Sequence, residues 1–321
     1  MDSRQYKVAT NGITMQVTEM GEGPLVILCH GFPELGYSWR HQLRALAEAG
    51  FRAVAPDQRG YGQTDCPAAI EDYDIFQLTG DIVGLVHALN EERAVIAGHD
   101  WGATVAAHCA LLRPDLFTAL ILMSVPYPPR KWGDTPPTGK MKKMAGSRVF
   151  YMNYFQEPGR AEADFEADVR TSVIGMLYAG SGDPPPEARW RVIFGADERL
   201  SDTFTLPDAL PEWLSEADID YYTAAFEKTG YRGGLNWYRN LDRNWALTPF
   251  LTHARILQPT LFLAGSEDGV IAFMRKAYDE LEKAVPNLYQ KELIPGAGHW
   301  IQQERPQAVS ERMIHFLTQG Q

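Results

Sequence analysis

One seven-residue stretch, Ala97-Gly98-His99-Asp100-Trp101-Gly102-Ala103, constrains this chain more than any other. It follows a strand-like run, Arg93-Ala94-Val95-Ile96, and precedes a helix-like run from Thr104 to Leu112 that stops at Arg113-Pro114. A Gly-x-acid-x-Gly pattern between strand and helix suits a sharp turn. Such a turn thrusts one side chain out at a strand's carboxyl end, with small residues where the backbone crowds. The central residue in the better-known form of this elbow is Ser; here it is Asp100. A carboxylate oxygen can displace a leaving group at an sp3 carbon and form an ester.

The surrounding rhythm is that of alternating strands and helices. Residues 6–10 and 13–19 alternate apolar and polar around Asn11-Gly12, which reads as a hairpin. Residues 25–29 form a continuous apolar run, as in a central strand covered on both faces. Helices are expected over 38–49 and 75–89, and strands over 51–55, 94–97 and 118–125. The rhythm breaks at Pro126. Five prolines open the next segment, and helical patterns follow over 148–155, 161–178 and 216–228. Strand and helix signals resume at 260–264, 271–284, 289–294 and 306–317. The expected fold is α/β, with a mostly parallel central sheet and helices on both faces. Its core comprises 1–126 and 248–321, and 127–247 is an inserted helical cap rich in Trp and Tyr. Ligands bind such sheets beyond the carboxyl ends of the strands.

Composition removes several alternatives. With 321 residues and 45% hydrophobic content, the chain can bury a large core. A net charge of -11 argues against a nucleic-acid or anionic-membrane partner. No apolar run approaches the length of a membrane span, and Met1-Asp2-Ser3-Arg4-Gln5-Tyr6 is no apolar signal region, so a cytoplasmic enzyme is expected. Cys29, Cys66 and Cys109 are too few for a disulfide framework. No His or Cys pair has zinc-ligand spacing, and no cofactor is expected. Oligomeric state is open, a homodimer included.

Three loops complete a constellation around Asp100. After the strand ending at Cys29, His30-Gly31-Phe32-Pro33 can present the Phe32 N–H. With the N–H of Trp101, it would form an oxyanion hole. After the strand ending at Ala264 comes Gly265-Ser266-Glu267-Asp268, where Asp268 can orient a histidine. After the strand ending at Ile294 comes Gly296-Ala297-Gly298-His299-Trp300, where His299 is the expected general base. The order nucleophile, acid, histidine is that of the α/β hydrolases. His30 and His99 are expected to hold loops; His41, His87, His108, His253 and His315 are expected to pack or face solvent.

Over nearly its whole length the sequence resembles the soluble, cap-bearing epoxide hydrolases. His30 to Glu34 with Tyr37-Ser38-Trp39-Arg40, Asp57 to Gly62, and Gly98 to Gly102 look like that family's loops. Two long cap segments match as well: Tyr151-Met152-Asn153-Tyr154-Phe155-Gln156-Glu157-Pro158-Gly159, and residues 230–240. Ala103 and Gly269 depart mildly from the pattern. The resemblance implies hydrolysis of an epoxide by water to a vicinal diol through an aspartyl ester. It also implies two cap tyrosines that donate to the epoxide oxygen; by motif position these are Tyr151 and Tyr238, with Tyr154 a rival for the first. Phe32, Trp101, Tyr154, Trp237 and Trp300 are expected to line an apolar substrate pocket. Rival readings are a dehalogenase, a serine esterase and an inactive hydrolase-fold receptor. Phe32 and Trp101 stand where dehalogenases tend to place Asn or Arg, and residue 100 is not Ser.

Overall fold

The computed structural model describes residues 2–133 and 135–320. Ten strands occur in chain order: β1 Arg4–Thr10, β2 Ile13–Met20, β3 Leu25–Cys29, β4 Arg52–Pro56, β5 Ala94–His99, β6 Phe117–Met123, β7 Val149–Phe150, β8 Ile193–Phe194, β9 Thr260–Gly265 and β10 Leu288–Ile294. Eight of them form one sheet in the order β1-β2-β4-β3-β5-β6-β9-β10. The β1/β2 and β2/β4 pairs are antiparallel, and every other neighbour in that sheet is parallel. Strands β3, β5 and β9 are buried at every residue, which explains their unbroken apolar runs.

Register brings the functional loops to one edge. Cys29 pairs with Gly98, His99 with Met123, Met123 with Leu263, and Gly265 with Ile294. The chain therefore leaves β3, β5, β6, β9 and β10 side by side. Helices α1 (Arg40–Glu48), α2 (Ile75–Ala88) and α3 (Trp101–Leu112) cover the sheet. One buried cluster joins α2, α3 and the cap; a second joins α1 and the C-terminal helix Pro306–Gln319 across the opposite face.

The cap lies between β6 and β9. It holds the β7/β8 pair and helices α4 (Pro137–Ala145), α5 (Tyr151–Tyr154), α6 (Arg160–Phe165), α7 (Val169–Gly180), α8 (Glu216–Thr229), α9 (Arg232–Arg239) and α10 (Leu241–Leu247). Several elements differ from the sequence expectation. The single helix expected over 161–178 is two, because Asp168 leaves the helix and caps α7, its side chain accepting from the Thr171 N–H at 3.0 Å. The helix expected over 271–284 is three short pieces, Gly269–Phe273, Arg275–Asp279 and Leu281–Ala284. Only Tyr151–Tyr154 of the expected 148–155 helix is helical, preceded by β7. Among the described residues, no helix is long and apolar enough to cross a membrane.

Candidate active site

Asp100 stands alone between β5 and α3 with φ 52° and ψ -120°, a backbone conformation unfavourable for a residue with a side chain. The surrounding packing enforces it. A Cβ on Gly98 would lie 2.0 Å from the Gly102 carbonyl oxygen, and one on Gly102 would lie 2.1 Å from that of Cys29. The two glycines let strand, turn and helix meet backbone to backbone, and the carboxylate is pushed up beyond the sheet.

The loops expected to serve Asp100 converge on it. The Phe32 N–H donates to Asp100 Oδ1 at 2.9 Å. His299 Nε2 stands 3.4 Å from Asp100 Oδ2. On the other side of the ring, His299 Nδ1 lies 3.1 Å from Asp268 Oδ2, and Asp268 Oδ1 accepts from the Val270 N–H at 2.8 Å. The Trp101 N–H makes no hydrogen bond to the carboxylate among the described residues, although the turn leaves it beside Asp100 at the start of α3.

Charge follows geometry. Burial alone would lower the His299 imidazole, but the Asp268 and Asp100 carboxylates outweigh it and hold the ring well above its ordinary range. Burial alone would raise Asp100, yet the hydrogen bond and charge of His299 bring it below the ordinary carboxylate range. His299 thus lies between the Asp268 and Asp100 carboxylates.

The histidine loop is clamped from several sides. The His299 carbonyl accepts from His99 Nε2 at 2.7 Å and from Ser124 Oγ at 2.9 Å. The His299 N–H donates to the Gly180 carbonyl at 2.8 Å, and the Trp300 indole N–H donates to that of Leu177 at 2.7 Å, both at the end of α7. Beneath lies Glu34, fully buried, which accepts from the Gly31 N–H at 3.0 Å and from Gln302 Nε2 at 2.7 Å, and pairs with His99 Nδ1 at 2.6 Å. Thus His99 and His30, whose Nε2 accepts from the Gln58 N–H at 3.0 Å, hold loops as expected from their position.

A cavity of about 380 Å³ opens over Asp100. Tyr151 and Tyr238 line its cap side, their ring centroids 6.1 Å apart, and among the described residues neither hydroxyl donates a hydrogen bond. Burial first, and the nearby Asp100 charge second, push both phenols well above their ordinary range, so both keep their protons. Phe32, Trp101 and Trp300 also line the cavity.

Two expected pocket residues stand outside it. Tyr154 turns away and donates to Asp164 Oδ2 at 3.1 Å, with Arg160 over its ring. Trp237 is fully buried behind Trp101, its indole N–H donating to the Arg59 carbonyl at 3.1 Å. Conversely, His108 was expected to pack or face solvent, and it lines the cavity. Glu34, and Glu304 discussed below, carried no signal beyond their neighbourhood to Gly31 and His299.

A family model described as the α/β hydrolase fold matches residues 24–158. Epoxide hydrolase A of Mycobacterium tuberculosis is 46% identical over 97% of this chain and 96% of its own length. Epoxide hydrolase 3 of Siraitia grosvenorii is 40% identical over 97% of both chains. Among solved structures, an epoxide hydrolase from an endophytic Streptomyces superposes with a TM-score of 0.95 at 45% identity, covering 98% of this chain and 95% of that one. Epoxide hydrolase A from Mycobacterium thermoresistibile gives 0.94 at 45% identity, covering 100% and 99%.

Proposed function

We propose a two-step covalent route for this chain, which belongs to the epoxide hydrolases of the α/β-hydrolase fold and uses water to open an epoxide. Asp100 is the nucleophile. Its Oδ1 is occupied by the Phe32 N–H, so Oδ2 makes the new bond to an epoxide carbon. The ring C–O bond breaks, and the oxygen takes a proton from Tyr151 or Tyr238. General-acid help of this kind is worth about 10²–10⁴ in rate. The proton returned to that tyrosine comes from His299, whose affinity for it drops at this moment: esterification removes one of the two anions that held the ring charged. The first step therefore makes the base that the second step needs.

In the second step neutral His299, oriented by Asp268, deprotonates water. The hydroxide adds to Cγ of the Asp100 ester, and the resulting oxyanion is Oδ1, already within reach of Phe32 and beside Trp101. Collapse expels the diol oxygen, which takes a proton from His299; the acid proton that water left on Asp100 then passes to His299, restoring the carboxylate and the charged ring. The substrate is an apolar epoxide, in keeping with the aromatic and aliphatic lining. Residues 127–247 act as the lid that supplies the tyrosines. The three free cysteines suit the reducing cytoplasm.

The observation that carries this reading is the pair of uncommitted tyrosine hydroxyls lining the same cavity as a carboxylate held by a backbone N–H. The test is mass spectrometry of intact His299→Gln after mixing with styrene oxide. A protein adduct of epoxide mass, mapped to Asp100, is expected; normal diol formation by this variant with no adduct refutes the two-step route.

A further inference from the structure

The cavity does not stop at the reacting groups. Part of its lining comes from Thr104, Ala107 and His108 of α3, with Ile75 of α2 and Leu241 and Asn244 of α10. Its walls are mostly apolar, yet it holds three polar side chains with atoms that bond to nothing among the described residues. His108 Nδ1 lies 2.8 Å from the Thr104 carbonyl oxygen and therefore carries the ring proton. That leaves Nε2 as a bare acceptor, with accessible surface and no partner among the described residues. Asn244 is oriented just as firmly: its Oδ1 accepts from the Ile75 N–H at 2.8 Å, so its Nδ2 is a donor with nothing to bond. The Thr104 hydroxyl, half-buried, has no hydrogen bond either among the described residues.

An acceptor and a donor, each fixed by a backbone group, select the kind of group they can receive. A carboxylate could not donate to His108, which burial keeps below its ordinary pKa and so neutral. An ammonium could not accept from Asn244. The charged lining pair, Arg189 and Glu267, is engaged with itself at 2.7 Å beside Asp268, away from α3. An alcohol does both. We infer that His108 and Asn244, with Thr104 one turn nearer Asp100, form a hydroxyl-binding subsite in this part of the cavity, and that the enzyme takes epoxides whose tail ends in an alcohol there.

The geometry sets the tail length. α3 begins at Trp101 and His108 stands seven residues further on, about 10 Å along the helix axis, and helical side chains lean back toward the N-terminus. The spacer between oxirane and hydroxyl is then about eight carbons. The inference rests on the reading that Asp100 is the point of attack.

The experiment compares kcat/KM for 9,10-epoxydecan-1-ol with that for 1,2-epoxydecane, and repeats the comparison for shorter and longer spacers. In the wild-type protein the alcohol-to-alkane ratio should peak at about eight carbons. His108→Leu should lower that peak about 5- to 10-fold, the worth of one hydrogen bond in a dry site, and His108→Gln, which restores an acceptor, should recover part of it. A ratio that is flat across the wild-type series overturns the subsite even if no variant folds. A peak that survives His108→Leu also overturns it. If both epoxides turn over but the ratio is flat, the Asp100 route stands without the subsite. If no ester forms on Asp100 in His299→Gln, the route fails and takes the subsite with it.

Discussion

Glu304 offers a direct check on how the histidine loop is held. Its Oε2 accepts from the N–H groups of Gly182 in the cap at 2.9 Å and Gly298 at 2.8 Å, and its Oε1 accepts from that of Trp300 at 2.9 Å. One carboxylate thus ties the cap to both neighbours of His299. Burial nevertheless dominates and, with three N–H bonds opposing it, pushes the carboxyl up from 4.5 to about 7. Between these values the folded chain holds a proton that the unfolded chain has released, so stability falls as pH rises. The contribution is intact below the unfolded value and gone above about 7. At about 1.4 kcal/mol per unit it amounts to roughly 3 kcal/mol. Glu304→Gln cannot titrate; its amide nitrogen cannot accept from the Trp300 N–H, a loss that is the same at every pH. Urea unfolding of both proteins at about pH 5 and about pH 8 gives the comparison. Between the lower and the higher pH the stability difference should shift by roughly 3 kcal/mol in the variant's favour. Other buried acids such as Asp57, raised to about 6, cancel in the difference. Equal pH slopes for the two proteins would refute the argument that burial outweighs the hydrogen bonds.

Two further outcomes follow from the site. Tyr238→Phe should lower the rate of ester formation in single-turnover mixing by about 10²–10⁴, with less effect on ester hydrolysis, because only the first step protonates the ring oxygen; equal slowing of both steps would contradict this division. Gly102→Ala drives a methyl group to 2.1 Å from the Cys29 carbonyl and should lower stability by about 1–3 kcal/mol or prevent folding, read as thermal midpoint and soluble yield; an unchanged midpoint would show that the elbow can yield.

How much of this was legible beforehand depended on how local the cause was. Strands β3, β5 and β9 announce themselves because both faces are buried, so every residue is apolar. The Asp100, Asp268 and His299 loops could be placed because each follows such a strand, and parallel register does the rest. The cap was less readable. Helix α9 carries Gly233 and Gly234, which argue against a helix by propensity. Their reason lies elsewhere in the chain: a Cβ on Gly233 would stand 2.2 Å from the Gly60 carbonyl oxygen. The exclusion of Tyr154 follows from its bond to Asp164, and that of Trp237 from its bond to Arg59; no local pattern encodes either. His108 looked like any helical histidine, because what distinguishes it is the emptiness beyond its ring.

The meeting of Gly60 and Gly233 has a consequence for anyone recombining these proteins. A Cβ on Gly60 would in turn stand 2.8 Å from the Gly233 Cα, so lid and base touch there through bare main chain on both sides. A lid transplanted from a relative will seat Tyr238 over Asp100 only if it brings a glycine to position 233 and meets one at position 60. A chimera with a side chain on either surface would hold its tyrosines displaced by the width of a methyl group, intact in sequence and out of reach of the epoxide.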